Sequence, residues 1–205
     1  MLKTKLRHLT ILAAPAALVF ASCGTDKNAQ PPTTVHLGAV ASAAPMPGAP
    51  HFNTADLQFT QSMIPHHRQA VAMADIALDP TAGASAKVVD LAKRIERTKG
   101  PELEMMSGWL TSWGQPMQMG AAVSQSTPMM DGMMTDVEMS SLRKVKGADF
   151  DTLWMQLMIR HHTGAIALAQ ALKNSGSNSD VLAMADQVVA APQSEITEMQ
   201  TMLGG

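Results

Sequence analysis

The chain has 205 residues and a formal net charge of −2; 3% of its residues are aromatic and none is tyrosine. Three basic residues, Lys3, Lys5 and Arg7, lie at the N-terminus, so 12 basic residues oppose 17 acidic ones in the remainder, a net charge of −5. A nucleic-acid-binding function is excluded, because the chain has neither a basic surface nor enough aromatic side chains to stack on bases.

An N-terminal secretory signal is predicted over residues 1–22. Its basic start is followed by the apolar run "ILAAPAALVF", which is shorter than a membrane span. The following "ASC" resembles a bacterial lipobox, in which Cys23 becomes the lipidated first residue of the mature protein, although Phe20 replaces the usual leucine. We therefore expect an exported lipoprotein, anchored to the periplasmic or outer surface of the cell envelope. Simple secretion is the alternative.

Residues 23–52 are small, polar and proline-rich, which predicts a flexible tether. Residues 53–205 are numerous enough for one domain with an apolar core. Because Cys23 is the only cysteine, a lipidated chain keeps no thiol, and any metal site must use His, Met, Asp or Glu. The 18 methionines therefore matter, since methionine fills apolar cores and its thioether also binds soft metals.

The domain contains an internal duplication. The segment "MIPHHRQA", residues 63–70, recurs 95 residues later as "MIRHHTGA". Further along, "PELEMMSGWL" aligns with "QSEITEMQTML", so that matching positions hold glutamates and methionines: Glu102 with Glu195, and Met106 with Met199. We interpret this pattern as two repeats joined by a Met-rich connector. The repeats cover about 54–113 and 149–203, and the connector covers 114–148.

Each repeat predicts a helical hairpin, because apolar residues recur at steps of three and four and no long alternation predicts a sheet. Thr54 or Asp56 is expected to cap the first helix, and Asp79-Pro80 to end it. The predicted fold class is all-α, an antiparallel four-helix bundle made of two duplicated hairpins. The later helices are expected at about 86–113, 149–173 and 179–203, with a short helix near 136–146.

Three prolines interrupt this helical pattern. Pro65 is expected in the first turns of its helix, where a missing N–H costs less than in the middle. Pro101 and Pro192 lie in mid-helix, and each is expected to kink its helix or split it in two. We interpret the repeated kink as an accommodation of packing.

The duplicated segments place a methionine and two histidines on one helix face, at relative positions i, i+3 and i+4. Adjacent residues are about 100° apart around a helix, so one histidine of each pair can face the centre while its neighbour lies at the flank. Twofold symmetry would bring both groups together, with up to four imidazoles and two thioethers. The principal ligand candidates are Met63, His66 and His67 in the first repeat, and Met158, His161 and His162 in the second.

Imidazole and thioether ligands together favour copper, above all Cu(I), with Ag(I) as a surrogate. Zinc would accept the histidines but gain little from thioethers. Di-iron bundles use Glu-x-x-His, with a glutamate three residues before the histidine. Here that position is Met63 in the first repeat and Met158 in the second. A di-iron site is therefore disfavoured. Met106 and Met199 are further ligand candidates. The alternative is a structural network of buried histidines with methionines as core residues.

Other polar and methionine residues have simpler expected roles. Asp56 and Asp151 are interpreted as helix caps, while Glu102 and Glu195 could orient an imidazole or face solvent. The connector segment "TPMMDGMMTDVEM" could collect Cu(I), but we favour docking of its later methionines onto the helices. Those are Met133, Met134 and Met139.

Four segments resemble a bacterial family catalogued as domain of unknown function 305: "FTQSMIPHHRQAVAMA", "GMMTDVEM", "ADFDTLWMQLMIRHHTGAIALA" and "SEITEM". The resemblance covers about residues 54–203. It implies a ferritin-like fold and export, and for some members copper binding and copper resistance in the periplasm. The chain departs from the family pattern at Lys99 and Pro192, where the family often has glutamine, and at Leu168, where it has methionine.

Three functions are compatible with these sequence features. The first is an exported lipoprotein that binds copper for sequestration or resistance, with the metal ion as its partner and the membrane reached only through the lipid anchor. The second is a non-catalytic scaffold or interaction protein of the envelope with a structural His–Met cluster. A metalloenzyme comes last, because it needs an open coordination position and a positioned acid or base, and the sequence offers no catalytic residue.

Overall fold

The computed structural model describes residues 51–117 and 131–204, and these residues are helical without any strand. The prediction of an all-α fold is confirmed. A short 3-10 helix, Pro80–Ala82, follows the first α-helix. Within the described ranges the α-helices are α1 Thr54–Leu78, α2 Ala86–Ser112, α3 Asp136–Lys144, α4 Gly147–Lys173 and α5 Ser179–Gly204.

The long helices pack as two hairpins. Helix α1 packs against α2, α4 packs against α5, and the two hairpins meet where α1 contacts α4. The division of the domain into two repeats, and the antiparallel, ferritin-like bundle, stay predictions. In the part of the chain that is described, no helix combines the length and apolar character needed to cross a membrane.

The start of α1 differs from expectation, because Asn53 is its N-cap rather than Thr54 or Asp56. The side chain of Asn53 accepts the N–H of Asp56 at 3.0 Å, and the Asp56 carboxylate accepts the N–H of Asn53 at 2.8 Å. This reciprocal capping box satisfies two helix-end donors at once. Asp56 is fully buried and also accepts the N–H of Ser177, so it ties α1 to the turn before α5.

The corresponding aspartate in the second repeat makes the matching connection. Asp151 of α4 accepts the N–H of Ser85, the N-cap residue of α2, at 3.1 Å. Each repeat therefore uses one carboxylate to hold the loop of the other repeat. Both aspartates bind backbone N–H groups, as their interpretation as capping residues requires.

Helices α2 and α5 run without interruption through Pro101 and Pro192. Of the two expected effects, a split is therefore wrong, while a kink stays a prediction. A proline inside a helix removes one hydrogen bond and costs roughly 3 kcal/mol. Each helix has an apolar face that packs on its hairpin partner on both sides of the proline. Burial of those faces outweighs the local cost, a tertiary effect that the sequence pattern did not reveal.

The core consists of two apolar clusters, and the candidate methionines divide between them. The Met158 cluster includes Met73, Leu91, Ile95, Leu142, Phe150, Trp154, Met158 and Met199. The Met63 cluster includes Phe59, Met63, Ile64, Met106, Leu110, Val181, Met184 and Val188. The matching residues of the two repeats thus lie in different clusters, as an approximate twofold relation between the hairpins requires.

The described end of the connector is docked on the helices. Met134 and Met139 are buried in the Met158 cluster, and the backbone of Met134 makes two hydrogen bonds with the amide side chain of Gln69. The connector also passes so close to α4 that a Cβ on Gly164 would lie 1.9 Å from the carbonyl oxygen of Asp131. These contacts favour docking over metal collection for this part of the connector.

Several predictions fall outside the described residues. They concern the signal over 1–22, the lipidated Cys23, the tether up to residue 50, and Met129 and Met130 of the connector. The last two tether residues are described, and both contact the domain. Phe52 stacks on Trp113 with ring centroids 4.4 Å apart, and the backbone carbonyl of His51 accepts a hydrogen bond from Asn178 at 2.7 Å.

Candidate metal centre

The first histidine of each pair meets its counterpart between α1 and α4. The ring centroids of His66 and His161 lie 3.9 Å apart, and their planes are inclined by 47°. Both side chains are at most 1% exposed. We call these two residues the inner histidines. Their contact answers the question that the sequence left open, namely which member of each pair faces the other repeat.

Among the residues that the structure describes, the buried ring nitrogens of both inner histidines have no partner in hydrogen-bond geometry. The backbone of Asp131 lies near the ring of His66, and the backbone of His66 near that of His161, and each acts to raise the pKa of the ring beside it. An unpaired buried polar group costs about 1–3 kcal/mol, and most buried polar groups in folded proteins are paired. Two such residues in contact, at matching positions of two repeats, therefore require an explanation. A bound cation that uses these nitrogens as ligands would supply the missing partners.

The second histidine of each pair, which we call a flanking histidine, is held by a glutamate of the partner helix. His67 Nε2 lies 2.6 Å from Glu102 Oε2, and His162 Nε2 lies 2.6 Å from Glu195 Oε2. A carboxylate only accepts hydrogen bonds, so each Nε2 carries the proton, and in the neutral ring Nδ1 keeps the lone pair. Carboxylates commonly fix metal-ligating histidines in this way. Both glutamates are largely buried, so the alternative that they face solvent is wrong.

Lys99 is a buried residue of the site that sequence reasoning noted only as a departure from the family pattern. Its side chain is 5% exposed, and its Nζ lies 2.9 Å from Glu102 Oε2, the same oxygen that His67 contacts. The corresponding residue of the second repeat is Pro192. A signal for this burial existed, because Lys99 follows the buried Ile95 by four residues on the packed face of α2.

Burial, assisted by the charges of neighbouring side chains, keeps His66, His67 and His161 neutral. It lowers the pKa of His66 from 6.5 to about 3, and it lowers the pKa of His67 to about 4 against the opposing effect of Glu102. The pKa of His161 also falls well below 6.5 because of burial. Burial acts to raise the pKa of Glu102, but the hydrogen bond from His67 and the charge of Lys99 lower it overall. Neutral imidazoles are the form that binds metals.

The candidate methionine ligands are all buried, and each belongs to an apolar cluster. Met63, Met106, Met158 and Met199 are all 0% exposed. Among the residues that the structure describes, no three His, Asp or Glu side chains converge as a ready-made ion site. Ligands beyond the inner histidines would therefore come from thioethers or from the flanking histidines. Such a set of few, soft donors suits a soft monovalent cation better than a hard one.

The family model described as Domain of unknown function (DUF305) matches residues 56–203. Similar solved structures include a DUF305 protein from Streptomyces coelicolor that is described as secreted, 32% identical over 73% of this chain and 91% of the other, with a TM-score of 0.67. A DUF305 fragment from Deinococcus radiodurans is 28% identical over 76% of this chain and 99% of the other, with a TM-score of 0.66.

The protein CopM is a further structural relative, solved with metals bound. Its Cu(II)-bound form is 26% identical over 73% of this chain and 95% of the other, with a TM-score of 0.61. Its Ag-bound form is 25% identical over 72% of this chain and 93% of the other, with a TM-score of 0.58. No curated protein matches the chain significantly.

Proposed function

Because the chain belongs to the family described as Domain of unknown function (DUF305), a description that assigns no activity, we propose a function from the site itself. The protein is an exported copper-binding protein that takes Cu(I) in preference, for sequestration or resistance. The observation that carries this proposal is the pair of inner histidines, whose four ring nitrogens are buried without a hydrogen-bond partner in the described part of the chain.

The proposed ligands combine imidazole and thioether groups, which select soft cations. The four histidines are the principal donors, with Met63 and Met158 beside them on the same helix faces and Met106 and Met199 as further thioethers. The principal histidines are His66, His67, His161 and His162. CopM, a relative solved in Cu(II)-bound and Ag-bound forms, supports a metal of this class.

Binding rather than turnover is proposed, because the described site offers a buried set of donors and the sequence offers no catalytic residue. Export is supported by the signal-like residues 1–22 and by a relative described as secreted. We propose further that Cys23 is lipidated and that residues 23–52 tether the domain 53–205 to the envelope. Outside the cell, a His–Met site holds copper without the thiolates that oxidise there.

A scaffold protein with a structural His–Met cluster is the alternative function. The hydrogen bonds of His67 and His162 with glutamates would suit it, since such pairs also occur in structural networks. The inner histidines do not suit it, because a structural histidine in a core is normally hydrogen-bonded.

Titration of metal-free protein with Cu(I), anaerobically and against a competing chelator, tests the proposal. We expect wild-type protein to compete for Cu(I), and the double variant His66→Ala/His161→Ala to bind at least about 100-fold more weakly, since even supporting residues contribute 10–100-fold. The control is His51→Ala, which removes an exposed histidine. Unchanged Cu(I) affinity in a folded double variant would exclude this site.

A further inference from the structure

The two repeats supply the same histidine–glutamate pair but different charges. In the second repeat, His162 is the only basic side chain among the described residues that contacts the Glu195 carboxylate. In the first repeat, Glu102 contacts both His67 and the buried ammonium of Lys99. The site is therefore symmetric in its proposed ligands and asymmetric in its charge.

The formal charge of the site follows from these contacts. Metal ligation requires neutral histidines. Among the described residues, the charged groups that are paired with the histidines or with these glutamates are then the carboxylates of Glu102 and Glu195 and the ammonium of Lys99. Their sum is −1. Arg160, next to His161 in sequence, is exposed and paired with Glu138, so it does not contribute to the buried charge. A single monovalent cation would bring the loaded site to neutrality.

We propose that Lys99 is a specificity-determining residue that sets the charge of the site to match one monovalent cation, and so favours Cu(I) over Cu(II). This inference rests on the proposed copper-binding function. A Cu(II) ion would leave one uncompensated positive charge in a buried region, and charges that are buried without a partner are strongly disfavoured. Without Lys99, the same site would carry −2 and would match a divalent cation or two monovalent ones.

The field of Lys99 reaches the proposed ligands. Burial is the main cause of the lowered pKa of His66 and of His67, and the positive charge of Lys99 contributes in the same direction at both residues. The same repulsion acts on a bound cation, and it is twice as large for Cu(II) as for Cu(I), because the Coulomb energy scales with the charge. Lys99 therefore acts through electrostatics without having to contact the metal.

The ratio of Cu(II) to Cu(I) affinity in charge variants tests this inference. Each ion is titrated against its own competing chelator, with reductant for Cu(I) and without it for Cu(II). We expect Lys99→Met to raise the ratio about tenfold or more, since it removes one unit of charge at a partly shielded site. Lys99→Arg keeps the charge and should keep the wild-type ratio. Lys93→Met, at an exposed lysine of the same helix, is the matched control.

Glu102→Gln provides a second variant with the opposite expected effect, because it changes the site charge from −1 to 0 and should lower the Cu(II)-to-Cu(I) ratio. It also keeps the test decisive if Lys99→Met does not fold. A wild-type ratio in every folded charge variant would overturn the role of Lys99. That result leaves the proposed function intact as long as wild-type protein binds Cu(I), whereas absence of Cu(I) binding by wild-type protein would refute the proposed function itself.

Discussion

Replacing both inner histidines by leucine should stabilise the metal-free protein. His66→Leu and His161→Leu remove buried ring nitrogens that lack hydrogen-bond partners within residues 51–117 and 131–204, and leucine is of similar size. Relief of an unpaired buried polar group is worth about 2 kcal/mol per histidine. The change of shape in a packed core offsets about 1 kcal/mol of this at each position. The expected net gain is therefore about 2 kcal/mol for the double variant.

Thermal and urea unfolding of the metal-free proteins measure this effect. A gain of about 2 kcal/mol corresponds to an increase in Tm of about 4–8 °C for a domain of this size. His51→Leu is the control, at an exposed position whose ring makes only a long 3.4 Å contact with Ser177, and it should leave Tm nearly unchanged. Addition of Cu(I) should raise the Tm of wild-type protein and leave that of the double variant unchanged. Destabilisation of the double variant by several kcal/mol would refute the reasoning, because it would mean that the inner histidines hold the fold together.

Three further predictions follow from burial, hydrogen bonding and packing. Metal-free protein should lose stability as the pH falls below about 6.5. The inner histidines then take up protons in the unfolded chain but stay neutral in the folded one, because their pKa values are lowered there. The expected loss is about 1.4 kcal/mol per pH unit for each histidine. Urea unfolding at pH 7 and pH 5 measures this slope, which the double leucine variant should reduce. Glu195→Ala should weaken Cu(I) binding about 10–100-fold, because it frees the imidazole of His162. The control Glu104→Ala, at an exposed position, should leave Cu(I) binding unchanged. Equal affinities of the two variants in chelator competition would argue against a supporting role for Glu195. Gly164→Ala should lower the free energy of unfolding by about 1–3 kcal/mol, because the added methyl group overlaps the Asp131 backbone. Gly108→Ala, with open space around it, should stabilise α2 by up to about 1 kcal/mol. Equal stability of the two variants in urea unfolding would contradict the described packing of the connector.

The helices could be predicted because their signals are local. Apolar spacing placed α2 and α5 within a residue or two of their observed ends, and Asp79-Pro80 marked the end of α1. The capping role of Asn53 was missed because Thr54 and Asp56 are equally good capping residues by type. The continuity of α2 and α5 through their prolines was missed because packing between helices, which the local pattern does not contain, decides it.

The meeting of the two histidine pairs could be predicted from the duplication, since a twofold relation brings matching positions together. The sequence could not tell the inner from the flanking histidine, because adjacent helix positions differ by only 100°. The burial of Lys99 was not predicted, because its contact with Glu102 depends on side-chain geometry on α2. The second repeat gives no hint of it, since Pro192 stands at the position that matches Lys99. The assignment of these residues as metal ligands stays a prediction.

X-ray absorption spectroscopy of protein loaded with one equivalent of Cu(I) tests the central claim most directly. We expect imidazole nitrogen and thioether sulfur in the first coordination shell, and loss of that spectrum when the inner histidines are replaced by leucine. A spectrum with neither imidazole nor sulfur scattering, or one that is identical in the double variant, would contradict a copper site built between α1 and α4.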